Sequence, residues 1–261
     1  MSLDHDVTAA DRSLAVLGAS VGRLAEMVGG LTVDDLRRSA YPTEWTIADV
    51  LSHLGSGAVI MRRRLEDTLA ERPFDDDFMT ATWDTWNAKS PEDQAADVLV
   101  TDRALLDALV VVGPDERARS TQPFGPMTIG FADLVQLRLN EHTLHSWDVA
   151  VTFDPAAELP ADTTGLVVDA LERIAGFAGK PGAEARTLRV RTTDPVRDFT
   201  LELGPDRVKL AGAASGDGDA DVELPAEAFI RLVYGRLDPD HTPSGAASPH
   251  LDDLRRTFPG F

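Results

Sequence analysis

The sequence predicts a bundle of four helices followed by a small α+β domain. Over roughly the first 150 of its 261 residues, apolar side chains recur every three or four positions, which places them on one side of a helix. Beyond residue 160 the pattern changes to short β-like runs separated by turn-forming residues. We therefore expect a first domain at residues 1–158 and a second domain at residues 159–261.

Four segments are predicted as the long helices of the bundle. Thr46 is expected to cap the second of them, with Asp49 three residues later as its reciprocal partner. Pro91 and two acidic residues open the third, as is common at helix starts. The segment around 70–90, which carries two tryptophans, is expected to be a long loop. The four helices cover residues 8–29, 47–65, 91–112 and 130–152.

The second domain is predicted to mix helices and strands. A helix at 162–178 precedes three β-like runs, and the last two runs flank the Gly-Pro-Asp cluster at 204–206, which suits a hairpin turn. An acidic loop that starts at Ala214 leads into a further strand, and Pro225 is expected at the first position of the next helix. The three runs cover residues 187–192, 199–203 and 207–212, and a short helix ends the chain.

Composition narrows the classes of function. The formal net charge is −19, from 44 acidic and 25 basic residues, and such a surface repels phosphate backbones and anionic lipids. We therefore expect neither nucleic acid nor membrane as a partner. The chain has no cysteine, so any metal must be held by histidine and carboxylate. The polar, acidic N-terminus has no signal-peptide pattern and indicates a cytoplasmic protein.

The segment LNEHTLHSWD, residues 139–148, places titratable side chains in a helix whose apolar face should be buried. Helical spacing puts Glu141 and Asp148 on that inward face, and His145 follows Glu141 by one turn on the same side. Because burial of an uncompensated carboxylate costs several kcal/mol, Glu141 needs a cation. The candidates are Arg138, a protonated histidine and a metal ion.

A third metal ligand would have to come from a neighbouring helix. His53 is the candidate, because it flanks the apolar stripe of the 47–65 helix. Gly57, one turn later, is expected to leave space beside the imidazole of His53. Two histidines and one carboxylate with open coordination positions are typical of a catalytic metal site.

Residues near the three candidate ligands could orient their imidazole rings or form a different ligand set. Asp49 and Asp148 are placed to orient the imidazoles of the two ligand histidines. His142 lies about 100° around the helix from Glu141 and is expected at the surface or behind the ligands. A pair formed by His142 and His145 remains a competing ligand set. Hydrogen-bonded histidines and buried ion pairs remain the alternative to a metal.

Three segments resemble a known family. "EWTIADVLSHL" resembles the Trp-Thr-x-x-Asp-x-x-x-His-Leu segment of the DinB-like, mycothiol-dependent maleylpyruvate isomerase family. "RLNEHTLHSWDVA" is similar to that family's second metal segment, in which Glu and His precede a Trp-Asp pair, and "LPAEAFIRLVYGRLDP" resembles its sterol-carrier-like C-terminal domain. The resemblance implies a DinB-like four-helix bundle followed by a small α+β domain.

The resemblance also implies a chemistry. His53, Glu141 and His145 would bind a divalent metal, usually zinc, and the low-molecular-weight thiol mycothiol would coordinate it as a thiolate. In the isomerase, that thiolate adds to an activated double bond, rotation follows, and elimination returns the trans product. Arg236 would hold an anionic substrate, with Arg231 as the second choice and a surface ion pair as the alternative for either.

We therefore expect a metal- and mycothiol-dependent S-transferase or isomerase that acts on a small electrophile, as a monomer or homodimer. Two other functions fit the same residues. One is a non-catalytic binding module whose bundle carries a structural metal or none and whose C-terminal domain holds an apolar ligand. The other is a metal-dependent hydrolase in which bound water takes the place of the thiol. The chain lacks the GxGxxG, P-loop and HExxH motifs, and no GxSxG elbow is expected. This argues against nucleotide binding, α/β-hydrolase chemistry and that class of metalloprotease.

Overall fold

The chain divides into two compact units, Met1–Ala157 and Glu158–Phe261, and each is described by itself. Independent folding of the predicted domains, 1–158 and 159–261, stays a prediction. No helix in the described part of the chain has an apolar run long enough to cross a bilayer. The computed structural model describes residues 3–41, 44–124, 127–214, 219–244, 246 and 248–260.

The described part of the first unit contains the four predicted long helices, three shorter helices and one hairpin. In chain order these are α1 (Leu3–Gly29), α2 (Val33–Leu36), α3 (Ile47–Leu69), α4 (Asp76–Asn87), α5 (Pro91–Val110), α6 (Pro114–Arg119), β1 (Thr121–Phe124), β2 (Met127–Gly130) and α7 (Phe131–Ala150). Helices α1 and α3 each pack against both α5 and α7, so the four long helices enclose a shared core. Leu24 of α1 and Leu51 of α3 are buried in it. The predicted bundle is confirmed.

Local sequence determines where the helices begin. The Thr46 hydroxyl accepts a hydrogen bond from the Asp49 backbone N–H, and the Asp49 carboxylate accepts one from the Thr46 N–H at 2.8 Å. Ser90 caps α5, and Pro91 follows it in the first turn. The capping box therefore fixes where α3 begins.

The prediction of a long loop around 70–90 is wrong, because that segment contains α4. The buried positions of α4 are Thr82 and Trp86, four residues apart, so its inward face carries a polar residue and no repeated apolar pattern. Trp86 is only 3% exposed, and its six-membered ring packs against α3 at Gly55. A Cβ atom on Gly55 would come within 2.1 Å of the indole ring. The packing of α4 therefore depends on a glycine in another helix.

The second unit combines helices with a four-stranded sheet of order β5-β4-β3-β6. Strands β3, β4 and β5 are antiparallel neighbours, whereas β6 runs parallel to β3. Alternate residues such as Leu188 and Val190 are buried, as expected for a sheet covered on one face. The elements are α8 (Ala161–Val168), α9 (Leu171–Ala178), β3 (Arg186–Thr193), β4 (Arg197–Leu203), β5 (Val208–Gly212), β6 (Val222–Pro225), α10 (Ala226–Val233) and α11 (Leu251–Thr257).

The predicted mixture of helices and strands in the second unit is confirmed, with small differences in its elements. The turn at 204–206 joins β4 to β5, and Leu203 pairs with Val208 across it, as predicted. The helix expected at 162–178 is divided into α8 and α9. Pro225 stands at the N-cap of α10 instead of its first position. Residues 215–218 of the predicted acidic loop lie outside the described residues.

Candidate metal centre

Three side chains from two helices converge in the first unit. His53 extends from α3, and Glu141 and His145 extend from successive turns of α7. The Nε2 atom of His53 lies 3.0 Å from Oε2 of Glu141, and Nε2 of His145 lies 3.5 Å from the same oxygen. One donor atom from each residue lies within 4.8 Å of the other two. The structure thus brings together the residues predicted as ligands; metal binding by them stays a prediction.

His145 is held by a buried carboxylate. Its Nδ1 lies 2.8 Å from Oδ2 of Asp148, which has no exposed surface. Because an ionised carboxylate only accepts hydrogen bonds, Nδ1 carries a proton and Nε2 is directed toward Glu141. The predicted role of Asp148 in orienting this imidazole agrees with the geometry.

The charges in this group are coupled. Burial opposes protonation of His145, but the hydrogen bonds to Asp148 and Glu141 outweigh it and raise the pKa of His145. Burial also opposes ionisation of Glu141, yet the hydrogen bonds from His145 and His53 hold the pKa of Glu141 well below its usual range. The carboxylate is therefore ionised at neutral pH and accepts from both histidines, which is the charge state that a cation requires.

Trp45 forms an aromatic wall beside the two histidines. Its ring centroid lies 6.0 Å from that of His145 with an interplanar angle of 18°, and 5.3 Å from that of His53. The two imidazole rings lie edge to face with centroids 4.6 Å apart. Stacking of His145 on Trp45 and the tilted contact of His53 with the same ring restrict the rotation of both imidazoles, so the donor atoms have few alternative positions.

The group is open to solvent on one side. The side chain of Glu141 is 40% exposed and that of His53 is 38% exposed, whereas Asp148 is buried. Glu141 is thus half-buried: it lies on the same face of α7 as the buried Asp148, but its side chain reaches the open side of the group. An accessible set of three donors leaves room for a further ligand, as in catalytic metal sites.

His142 is completely buried, so its expected surface position is wrong. Its Nδ1 lies 2.8 Å from the Ser20 hydroxyl of α1, and its Nε2 lies 3.2 Å from Oδ2 of Asp102 on α5. Helix α7 packs against α1 as well as α3. The face of α7 that lies 100° around the helix from Glu141 therefore faces another helix and not solvent. Burial holds the pKa of His142 below its usual range even though Asp102 opposes this. His142 takes no part in the group around Glu141, which removes it as a competing ligand.

Ser20, His142 and Asp102 are connected in the order of a serine-hydrolase triad, and Ser20 lies in a GxSxG sequence at residues 18–22. That sequence lies within α1 and not at a strand-to-helix turn, where a nucleophile would be exposed. All three side chains are buried, and the Asp102 carboxylate also accepts from Arg138. The connection therefore stabilises the helix interface and offers no access to a substrate.

Arg138 was a candidate counter-cation for Glu141, but it pairs with Asp102 instead. Its Nη2 also donates to the backbone carbonyl of Leu54 at 3.0 Å. Burial alone would raise the pKa of Asp102, but the positive charge of Arg138 lowers it. Asp102 was not identified from the sequence. Its position between Val98 and Leu105, at helical spacing with both, was the available signal.

Two supporting residues have different roles from those predicted. A Cβ atom on Gly57 would lie 3.3 Å from Nη1 of Arg138, so the missing side chain makes room for a guanidinium and not for the His53 imidazole. The Asp49 carboxylate is bound to the backbone N–H and hydroxyl of Thr46, at the start of α3. Asp49 is therefore a capping residue, and its predicted role in orienting His53 is wrong.

The two arginines considered for substrate binding lie in the second unit. Arg231 is buried and bonded to both oxygens of Glu227 at 2.7 and 2.8 Å, and it also donates to the carbonyl of His241. Arg236 is also buried, and its Nη1 donates to the Tyr234 carbonyl at 2.9 Å. The alternative of a surface ion pair is wrong for Arg231, since its ion pair is internal. A role for Arg236 stays a prediction.

Comparisons with known proteins were consistent with the two resembling segments of the bundle. The family model described as the mycothiol maleylpyruvate isomerase N-terminal domain matches residues 17–150. No curated protein matches the chain significantly. Among solved structures, the chain is similar in fold to the mycothiol-dependent maleylpyruvate isomerase, with a TM-score of 0.60, 13% identity and 95% of each chain covered. A mutant of that enzyme gives a TM-score of 0.61 with the same identity and coverage.

Proposed function

The chain belongs to the family of the mycothiol maleylpyruvate isomerase N-terminal domain, and from this premise we propose that it is a metal-dependent enzyme. It would use mycothiol as the nucleophile toward a small electrophile, as an isomerase or as an S-transferase. The expectations of a cytoplasmic protein, as a monomer or homodimer, belong to the same proposal. Family membership supports the thiol and the small-molecule substrate, and the residues around Glu141 support the metal.

The observation that carries the proposal is the convergence of His53, Glu141 and His145 from two helices. Two imidazole nitrogens and one carboxylate oxygen are a common donor set for Zn²⁺ at catalytic sites, where a further position stays open. The tautomer of His145 also fits such an ion. Because Asp148 occupies Nδ1 of His145, the other ring nitrogen is the one available to a metal.

Each of these residues has a distinct task in this proposal. His53, Glu141 and His145 would hold the cation, and Asp148 would keep His145 in one tautomer. Trp45 would exclude water from one side and limit the motion of both rings. The metal, when bound, would lower the pKa of a coordinated thiol and so supply a nucleophile at neutral pH.

Arg236 is proposed to bind a carboxylate of the substrate. A guanidinium binds a carboxylate through two parallel hydrogen bonds, and an acidic protein needs a local cation to attract an acid. Arg231 is the weaker choice, because Glu227 and the His241 carbonyl already bind its guanidinium. Arg236→Lys should raise KM for an acidic electrophile more than for a neutral one.

Metal analysis tests the central part of the proposal. Purified wild-type protein should hold about one equivalent of zinc per chain, and His53→Ala and Glu141→Ala should each lose most of it. Asp49→Asn is the matched control, because Asp49 lies on the same helix as His53 but serves the cap. If wild type and both variants bind equally little zinc, the proposal is wrong.

A second candidate function is metal-dependent hydrolysis, which the solvent-exposed side of Glu141 also favours. Thermal unfolding with added mycothiol separates the two functions. A thiol-dependent enzyme should gain stability as RT ln(1 + [L]/Kd), and only in the presence of metal. A hydrolase should show no such gain while still binding zinc.

A further inference from the structure

Helices α3 and α7, which carry the three candidate ligands, are joined by a buried arginine about one turn from the ligands. Arg138 precedes Glu141 by three residues on α7 and is only 2% exposed. Its Nη2 donates to the carbonyl of Leu54 at 3.0 Å, and Leu54 immediately follows His53 on α3. One side chain therefore connects the backbone beside one ligand to the helical turn before another.

The guanidinium of Arg138 has little freedom to move. On one side it lies against α3 at Gly57, where an added Cβ atom would lie 3.3 Å from Nη1. On the other side it donates to the carboxylate of Asp102 on α5. Asp102 in turn lies 3.2 Å from Nε2 of His142, whose other nitrogen lies 2.8 Å from the Ser20 hydroxyl. Contacts from α3 and α5 thus fix the position of this α7 side chain, and Ser20 of α1 contacts the histidine that supports Asp102.

We infer that Arg138 is a positioning residue for the candidate metal centre, and that the absence of a side chain at Gly57 provides the space for its guanidinium. Its hydrogen bond to Leu54 sets the register of α3 against α7, and this register sets the distance between His53 and Glu141. The expected effect of Arg138 on metal affinity rests on the proposed function. The effect of Arg138 on geometry does not require a metal, since the 3.0 Å contact of His53 with Glu141 exists in the protein alone.

Gly57→Ala tests this inference without removing a charge from the core. The added Cβ atom would lie 3.3 Å from Nη1 of Arg138, closer than ordinary van der Waals contact. Hydrogen bonds to Asp102 and the Leu54 carbonyl hold the guanidinium. We therefore expect α3 to shift relative to α7 and separate His53 from Glu141. Alanine is the better helix former, so the substitution by itself favours α3. A merely structural role would leave metal affinity unchanged. A positioning role predicts Co²⁺ affinity about tenfold weaker, with an altered Co²⁺ absorption spectrum.

The matched control is Gly22→Ala in α1. This glycine is also helical, and an added Cβ atom there would meet nothing within 4 Å. It should leave Co²⁺ affinity and the spectrum as in wild type. Arg138→Lys is the second variant, because it retains the positive charge beside Asp102 but lacks the planar fork of donors. It should also weaken Co²⁺ binding, by less than replacement with an uncharged residue.

Histidine NMR of the metal-free protein separates this inference from the proposed function. With ¹⁵N-labelled histidine, the Nε2 signal of His53 reports its contact with Glu141. Gly57→Ala should displace that signal, whereas Gly22→Ala should not. Wild type that fails to bind Co²⁺ would overturn the proposed function, and the NMR comparison would still decide the inference. An unchanged His53 signal in Gly57→Ala, or unchanged Co²⁺ affinity in a wild type that binds the metal, would overturn the inference.

Discussion

Asp148 accepts a hydrogen bond from Nδ1 of His145 at 2.8 Å, three residues earlier on the same helix, while the other ring nitrogen of His145 faces Glu141. This relationship is local to α7, yet it determines which nitrogen of His145 is available to a metal. It also gives the fully buried Asp148 carboxylate a hydrogen-bond donor. A carboxylate beside a histidine ligand increases the basicity of the imidazole and fixes its orientation.

Asp148→Asn should weaken metal binding by about tenfold to a hundredfold, because the amide is a poorer acceptor and can rotate to present its NH₂ group. Competition with a zinc chelator measures the affinity. Asp49→Ala is the control: it removes a cap and should cost roughly 1 kcal/mol of stability while leaving zinc affinity intact. Equal zinc affinity in wild type and Asp148→Asn would contradict the assigned role of Asp148.

The four long helices and the pairing of Glu141 with His145 could be predicted from the sequence because both depend on local spacing. The capping box of Thr46 and Asp49 is confined to four residues, and Glu141 and His145 share a face of any helix that contains them. The pairing of Arg138 with Asp102 could not be predicted, because it depends on which helices are neighbours. No rule of spacing within one helix shows that α7 is enclosed on the side of His142.

Helix α4, which lies in the segment expected to be a loop, was missed for a related reason. The inward face of α4 consists of Thr82 and Trp86, and its complement is the absence of a side chain at Gly55, some thirty residues earlier. Helix α4 has no apolar repeat that its own sequence would reveal, because it is held by the packing of Trp86 against Gly55 of α3. Glycine in the middle of α3 was the available sign of a close neighbour.

Gly55→Ala should destabilise the protein, because the added methyl group would overlap the Trp86 ring at 2.1 Å. Overpacking of this kind costs about 1–3 kcal/mol, despite the better helix propensity of alanine. Guanidinium unfolding measures the change. Gly22→Ala, with nothing within 4 Å of its new Cβ atom, should instead stabilise by roughly 0.5–1 kcal/mol. Similar changes in the two variants would show that Trp86 does not pack on Gly55 as described.

Asp67 should contribute to the pH dependence of stability. Its side chain is buried near the end of α3, and burial alone would raise its pKa, but hydrogen bonds from Arg63 and Arg72 hold the pKa of Asp67 below its usual range. A carboxylate whose pKa is lower in the folded state stabilises the protein above the unfolded-state value of about 4. That contribution is lost as the pH falls through the lowered pKa.

Asp67→Asn should therefore be less stable than wild type at neutral pH, and the difference should shrink as the solution is acidified below about pH 4. Urea unfolding at a series of pH values measures it. The two arginines are partly exposed, so salt should also reduce the difference. The matched control is Asp97→Asn, whose carboxylate forms a more exposed pair with Lys89. A constant gap between wild type and Asp67→Asn at all pH values would contradict the assigned ion pairs.

The buried pair in α10 leads to a prediction for the second unit. Arg231 and Glu227 are bonded through two hydrogen bonds, and Arg231 also holds the carbonyl of His241. Arg231→Met would leave the Glu227 carboxylate buried without its cation, which costs about 3–5 kcal/mol. The double variant Glu227→Gln with Arg231→Met removes both charges and should recover part of that loss. Chemical unfolding of Glu227→Gln, Arg231→Met, the double variant and wild type completes a double-mutant cycle. If the loss in the double variant equals the sum of the losses in the two single variants, the pair is not coupled, and Arg231 would again be a candidate for substrate binding beside Arg236.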